Sequence, residues 1–330
     1  MDLEMLQKRA AIIKQVRAFF DNKGYLELDT PLLCSDLIPE SCLEVFETKR
    51  IYPHNSKKEN QSLWLIPSPE IWMKKIIARH KVNVFQICKC FRNGEATGRL
   101  HNSEFTMLEY YTMNADYMDS LALTEELLRF FYHEPHEPPQ TEEKVFFERI
   151  TVSQAFEQYA SFDLFEAAAE GADALAFQAR RLGLEPARDM TVAQLYDLIF
   201  IHAVEPRLKG EKPVALIDYP AFVPCLAKKA ADGKTVERWE LYWNGIELAN
   251  CFSEETDPQE VKDFFNSEDT QLKQRAEKAK NAAVPHKVDH DYWKMFDGEN
   301  FPRCSGVAIG LDRLIMALTG KASIDAVLVI

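Results

Sequence analysis

Glycine is scarce in this chain, 12 of 330 residues, about half the usual share of roughly 7%. Each glycine that does occur is expected to mark a backbone geometry that other residues resist. Cysteine pairing is also missing. The seven cysteines, at 34, 42, 88, 90, 225, 251 and 304, are odd in number and form no C-x-x-C pair, which argues against a disulfide framework and a four-cysteine zinc site. No stretch approaches the roughly 18 uninterrupted apolar residues of a membrane helix, and the N-terminal MDLEMLQKRAAIIK lacks the basic, apolar, small-residue order of a signal peptide. A cytoplasmic location is the expectation. Positive charge is in deficit: 39 Lys+Arg against 52 Asp+Glu leave a net charge of −13. That disfavours a surface that tracks a nucleic-acid backbone, without excluding a local nucleotide site.

Common nucleotide and metal motifs fail as well. Gly320-Lys321 is followed by Ala322 and has Ile315 where a P-loop needs its first glycine. Gly306-Val307-Ala308-Ile309-Gly310 puts alanine where a dinucleotide fingerprint needs its second glycine. His133-Glu134-Pro135-His136 is not H-E-x-x-H, and His286 and His290 flank a loop.

What the chain does have is 46% hydrophobic and 28% charged residues in well-marked periods. Ile12, Ile13, Val16, Phe19 and Phe20 fall at helical spacing before a stop at Gly24. SLWLIP, PEIWMKKIIARH, VNVFQICKCF and EFTMLEYY then read as strand, helix, strand and strand. Residues 134–143 carry three prolines in ten and read as a linker. Long helical runs over 151–210 suggest an inserted helical segment. Short β-rich runs follow at 213–219, 238–243 and 246–252, with Asn244-Gly245 between the last two as a hairpin signal. A charged helix at about 257–280 precedes a strand from Ser305 that becomes a helix at about Leu311.

Three segments carry chemistry. Arg92 ends one strand, and after a polar loop the chain returns through His101-Asn102 into a strand on which Phe105, Met107, Glu109 and Tyr111 share a face. A carboxylate beside a tyrosine there suggests a pocket wall, against the plain alternative of a salt bridge. In the hairpin, a two-residue turn pairs Tyr242 with Glu247, so Glu240 and Glu247 share a face. Unless one is protonated, two such carboxylates need a cation nearby, and Mg²⁺ carrying a nucleotide is the candidate, against the plain alternative of a solvent-exposed hairpin face. Asn250, Phe252 and Glu254 have the opposite parity, and sharing that face requires a β-bulge between Glu247 and Asn250. In the last segment small residues run down a strand to Arg313 in the first turn of a helix. Small side chains admit a flat ring, and the arginine can hold phosphate.

In order, these segments resemble the three signature motifs of class II aminoacyl-tRNA synthetases, most closely the lysyl subgroup. Gly24-Tyr25-Leu26-Glu27-Leu28-Asp29-Thr30-Pro31 resembles motif 1, which pairs subunits in that family; Phe91-Arg92 through His101-Asn102 and Phe105 resembles motif 2; Gly310-Leu311-Asp312-Arg313 resembles motif 3. The likeness covers nearly the whole chain, more loosely over 140–230. It implies an α+β fold, an antiparallel sheet flanked by helices, as one catalytic domain over 1–330 with a helical insertion at about 140–210 and no N-terminal anticodon-binding barrel. It also implies a homodimer through motif 1. Arg92 would hold the α-phosphate of ATP and the substrate carboxylate, and Arg313 the γ-phosphate. His101, Asn102 and Phe105 would position ATP, with Phe105 stacked on adenine. Glu240 and Glu247 would hold Mg²⁺, and Glu70, Glu109, Tyr111, Asn250, Phe252 and Glu254 would line the lysine pocket.

Ala308 stands where lysyl enzymes have glycine, and Ser68 where they have alanine. Both changes are similar to a stand-alone paralogue group that ligates (R)-β-lysine to a lysine of translation elongation factor P. The implied reaction is adenylate formation from lysine or β-lysine, then transfer to that factor. Gly94 replaces the glutamate of the motif 2 Arg-x-Glu, which moves the adenine contact to Glu95, and Cys251 replaces the paralogue's usual glycine. Two other readings stand beside this one. A free-standing enzyme that charges tRNA is disfavoured by the net charge. A non-catalytic amino-acid-binding paralogue is disfavoured because Arg92, Arg313, Glu240 and Glu247 are all present.

Overall fold

The computed structural model describes residues 2–53, 57–94, 98–131, 147–210, 212–279, 286–297 and 301–328. The chain forms two compact units, one of Met1–Asn114, Glu255–Cys304 and Ala308–Ile330, the other of Ala115–Glu254 and Ser305–Val307.

The first unit opens with α1 (Leu3–Asn22), capped by the Asp2 carboxylate, which accepts from the Glu4 N–H. Lys23 and Gly24, the latter at φ +74°, end it. β1 (Leu26–Glu27) is followed by β2 (Leu33–Cys34), β3 (Glu47–Arg50) and β4 (Gln61–Leu65), which form a three-stranded antiparallel sheet in the order β2-β4-β3. α2 (Glu70–His80) leads to β5 (Val84–Phe91) and β6 (Glu104–Met113), an antiparallel pair whose ladder runs from Val84↔Tyr111 to Phe91↔Glu104. β1 pairs parallel with β5. Because a strand alternates its side chains, β5 and β6 present two different faces. On one, Phe85 and Tyr110 pack their rings 4.9 Å from that of Phe20, which α1 buries completely. The other face carries Phe105, Met107, Glu109 and Tyr111, opposite Cys90, Cys88, Gln86 and Val84.

The second unit begins with α3 (Tyr117–Phe130), closed at its start by a reciprocal cap between Asp116 and Asp119. β7 (Glu148–Thr151) precedes four helices, α4 (Val152–Ala160), α5 (Leu164–Glu170), α6 (Ala172–Arg181) and α7 (Val192–Ile199). Thr151 with Gln154 and Thr191 with Gln194 cap the first and last of these. The sequence pattern extends the last helix to about residue 208, but α-helical geometry stops at Ile199. The chain widens into a π-turn over Phe200–Val204 and tightens at Glu205–Arg207, where Pro206 has no N–H to continue the ladder. β8 (Val214–Pro220), β9 (Thr235–Trp243) and β10 (Ile246–Ser253) follow; β8 pairs parallel with β7 and antiparallel with β9. Phe156, Leu195, Tyr196 and Ile199 pack with Leu216, Tyr219, Val236 and Tyr242, so the helices cover one face of β8 and β9. The linker expected at 134–143 lies outside the described residues.

The chain returns to the first unit through α8 (Pro258–Ala279), then β11 (Cys304–Gly310) and α9 (Leu311–Thr319), with the switch to helix where the sequence places it. The residue beside Arg313 fixes α9. Asp312 is buried; Oδ1 lies 2.6 Å from Arg9 Nη1 on α1, and Oδ2 accepts from the Thr106 N–H of β6 at 2.7 Å. Arg9 also donates to Thr106 Oγ1 at 2.9 Å. One carboxylate thus ties motif 3 to motif 2 and to α1. Among the described residues no helix is long and apolar enough to cross a membrane.

Breaking one partner of a buried pair strands the other charge, which costs about 3–5 kcal/mol, whereas removing both charges is nearly neutral. Asp312→Ala should lower the unfolding free energy measured in urea by that amount, with a lower midpoint, and Arg9→Met with Asp312→Leu should restore most of it. An unchanged midpoint in Asp312→Ala would count against this knot.

Candidate functional site

In the first unit the hairpin of β5 and β6 sets the site residues. The Arg92 N–H donates to the Ser103 carbonyl at 3.0 Å, which closes the base of the loop. The Arg92 guanidinium lies over the Phe105 ring, 5.3 Å from its centre. Arg313 Nε donates to the Leu100 carbonyl at 3.2 Å, so α9 holds the same loop that carries exposed His101 and half-buried Asn102. Arg92, Phe105, the 100–102 segment and Arg313 are therefore assembled together. Glu95 lies outside the described residues.

The glycine at 94 has a packing cause. It sits at φ +72°, and a Cβ there would lie 3.1 Å from Glu44 Cγ. The neighbouring Asn93 N–H donates to the Glu44 carbonyl at 2.9 Å, which docks the loop before β3 onto the end of motif 2. A side chain at 94 would push that loop away.

Next to this lies a carboxylate cluster. Glu70 is the first residue of α2, and Lys74, one turn on and fully buried, meets it at 2.5 Å. Glu109 is 3% exposed. The Tyr111 hydroxyl donates to its Oε1 at 2.8 Å, while Oε2 has no hydrogen-bond partner. Burial first, and the charge of Glu70 second, holds this carboxyl well above the usual range. A buried acceptor left in that state calls for a cationic donor. Ser68 and Ala308 are both half-buried, and the Ser68 hydroxyl makes no hydrogen bond among the described residues.

The second unit contributes the hairpin of β9 and β10. Asn244 at φ 53° and Gly245 at φ 74° form its turn, the geometry that Asn-Gly favours. Tyr242 pairs with Glu247 as expected, and the ladder then shifts register between Glu247 and Ala249, which brings Asn250 opposite Glu240. The expected bulge is present, and it puts Glu240, Tyr242, Glu247 and Asn250 on one face. Cys251 pairs with Trp239 on the other face. There Ser120 of α3 hydrogen-bonds its thiol and the Trp239 Nε1–H donates to the Tyr117 carbonyl, so the cysteine points away from Asn250. Phe252 is half-buried and Glu254 is 2% exposed.

Sequence reasoning missed Arg238. Two residues before Glu240 on the same strand face, it donates to Glu240 Oε1 at 2.5 Å and to Asn250 Oδ1 at 2.9 Å, and it lies 4.4 Å over the Tyr219 ring. The Tyr242 hydroxyl donates to the other Glu240 oxygen at 2.5 Å. The R-x-E-x-Y alternation in the sequence was the available signal. The cation that the carboxylates require is therefore supplied in part by the protein. Burial, then the charges of Glu240 and Glu247, holds the Tyr242 phenol well above its usual range, which places both acids around one hydroxyl. Tyr196 and Asp197 of α7 feel Arg238 and Glu240 too, so the helical layer walls this face.

Among the described residues no group of three or more His, Cys, Asp or Glu is arranged to hold a metal ion alone. Glu240 and Glu247 instead make a pair of hard oxygen donors, which fits Mg²⁺, an ion bound by one or two carboxylates and otherwise by substrate phosphates.

Residues 2–329 match the family model of class II tRNA synthetases (D, K and N). The chain is 35% identical over 328 residues to the elongation factor P–(R)-β-lysine ligase of Avibacterium paragallinarum, covering 99% of this chain and 94% of that protein. It is 33% identical over 327 residues to the ligases of the same name from two strains of Histophilus somni, again covering 99% and 94%.

Arg238→Met should leave Glu240 buried beside Tyr242 without its guanidinium and reduce stability by about 2–4 kcal/mol in chemical denaturation. Combining it with Glu240→Leu should recover more than half of that loss, a coupling that only direct partners show.

Proposed function

Since this chain belongs to the class II tRNA synthetases (D, K and N), we propose that it is an ATP-dependent, AMP-forming ligase that activates (R)-β-lysine, or lysine, and transfers it to a lysine of elongation factor P. The observation that carries the substrate reading is Glu109, a buried carboxyl with one oxygen unsatisfied, beside Glu70 and the aromatic Tyr111. A small diamine acid supplies the missing ammonium. The names of the relatives support the acceptor and the β-isomer.

In this reading the catalytic domain is single, with a helical insertion at about 140–210. The substrate carboxylate attacks the α-phosphorus of ATP and expels pyrophosphate, giving a mixed anhydride. Arg92 takes the reacting phosphate and carboxylate oxygens, and Arg313 the far end of the triphosphate. Both are held before substrate arrives, Arg92 over Phe105 and Arg313 on the Leu100 carbonyl, which suits stabilisation of charge that develops in the transition state. His101, Asn102 and Glu95 position the nucleotide, and Phe105 offers its ring to adenine. Glu240 and Glu247 would hold Mg²⁺, which when bound neutralises phosphate charge. Arg238 and Tyr242 keep the Glu240 carboxylate in place. Glu70, Glu109, Tyr111, Asn250, Phe252 and Glu254 receive the diamine acid, with Ser68 and Ala308 shaping its near end. The acceptor amine then attacks the anhydride carbon and AMP leaves.

A homodimer through the motif 1 region is part of the proposal. Leu3, Leu26 and Leu33 are 68%, 55% and 44% exposed in α1, β1 and β2, apolar side chains in this region that a second copy would cover.

ATP–pyrophosphate exchange should depend on lysine or β-lysine, and Arg92→Ala should reduce it at least about 100- to 1,000-fold, the loss seen when one oxyanion donor is removed. Intact-mass measurement should then show the adduct on elongation factor P and none on tRNA. Near-normal exchange in Arg92→Ala would overturn the assignment, and charging of tRNA alone would replace the acceptor.

A further inference from the structure

The loop between β2 and β3 is held more firmly than a connection requires. The Leu37 N–H donates to the Lys287 carbonyl at 2.9 Å. The Ser41 N–H donates to Glu268 Oε2 at 2.7 Å, and the Ser41 carbonyl accepts from Arg275 Nη1 at 2.6 Å. Arg275 also meets Glu44 at 2.8 Å, and Glu44 bridges Asn93 next to Arg92. Glu40 sits between these anchors, its carbonyl accepting from the Leu43 N–H at 3.1 Å in a tight turn.

Its side chain forms no hydrogen bond or ion pair among the described residues. The charged groups around it are Glu70 and Lys74 from α2, Arg92 from the end of β5 and Glu268 from α8, with the Cys42 thiol on its own loop. The lysine among them already meets Glu70. Burial first, then the charge of Glu70, pushes the Glu40 carboxyl up to about 7. The charges that weigh most on Glu109 are Glu70, Cys88 and Lys74, whereas those on Glu40 include Arg92. Glu40 is thus within reach of the Arg92 charge, on the loop that Glu44 bridges to Asn93, the neighbour of Arg92.

A diamine acid has two ammonium groups, one far along the chain and one next to the carboxylate, on the second or third carbon. Glu109 provides for one of them through its unsatisfied Oε2. We propose that Glu40, with Glu70, seats the amino group nearest the reacting carboxyl and so sets which diamine acid is accepted. This inference rests on the ligase reading above and adds a specificity-determining residue to it. A carboxylate carried on a loop pinned at both ends has a limited range of distances from Arg92, and that range discriminates an amine on the second carbon from one on the third.

Three ligands and two variants test it: lysine and (R)-β-lysine as substrates in ATP–pyrophosphate exchange, and 6-aminohexanoate, which has the carboxylate and the far amine but lacks the near one, as a competitive inhibitor. In Glu40→Gln, KM for the preferred diamine acid should rise about 10- to 100-fold, the value of a hydrogen bond to a charged group. KM for ATP and Ki for 6-aminohexanoate should move by less than about twofold, which also reports that the site is folded. Glu40→Asp should recover part of the loss. A protonated Glu40 cannot attract an ammonium, so wild-type kcat/KM should fall as pH drops through about 7, and that limb should disappear in Glu40→Gln. An unchanged KM, or an equal loss for 6-aminohexanoate, overturns this inference while the ligase reading stands. A wild-type chain that activates neither isomer overturns both.

Discussion

Carboxylates removed from water dominate this molecule, and each must find a cation or a proton. Asp312 takes Arg9, Glu240 takes Arg238, and Glu70 takes Lys74. Glu109 and Glu40 form no such ion pair among the described residues, and both are pushed toward their protonated forms. In a medium of low dielectric the cost of an unpaired charge exceeds the worth of most packing contacts, so such groups persist where a ligand completes them. Asp312 with Arg9 joins two helices, while Glu109 keeps one oxygen with no hydrogen-bond partner among the described residues.

Strand alternation divides the two roles. On β6 the residues Thr106, Leu108 and Tyr110 look toward α1 and build core, while Phe105, Glu109 and Tyr111 look the other way. On β9 and β10, Trp239 and Cys251 turn to α3 and Glu240 and Asn250 turn to the opposite face. On β6 the candidate site residues thus lie on the reverse side of the face packed against α1, whereas on β9 and β10 they share the face that α4 to α7 cover.

The same alternation explains what could be read from the sequence. The end of α1 near Gly24, the Asn244-Gly245 turn, the bulge and the strand-to-helix switch at Leu311 all follow from local rules of period and turn chemistry, whereas the end of α7 does not. Glu109 and Tyr111 were legible because a carboxylate interrupts an otherwise apolar strand face. Partners distant in sequence were not legible. Arg9 and Asp312 are far apart in the chain, and the contact of Glu44 with Gly94 depends on how a loop returns. Arg238 was hidden for another reason: a charge near a strand start looks like solvated surface until helices arrive over it. Glu40 escaped notice because nothing in a loop sequence says that both of its ends are pinned.

The helical layer over β8 and β9 has a consequence for how the protein is made. α4 to α7 precede β9 in the chain and leave the ribosome first. The shelter exists before the acid it shelters, with Phe156, Leu195 and Ile199 waiting for Val236 and Tyr242 to fill them. During that interval the nascent chain exposes the apolar face of these helices, so the pace of translation across the segment between α7 and β9 sets how long that face stays uncovered.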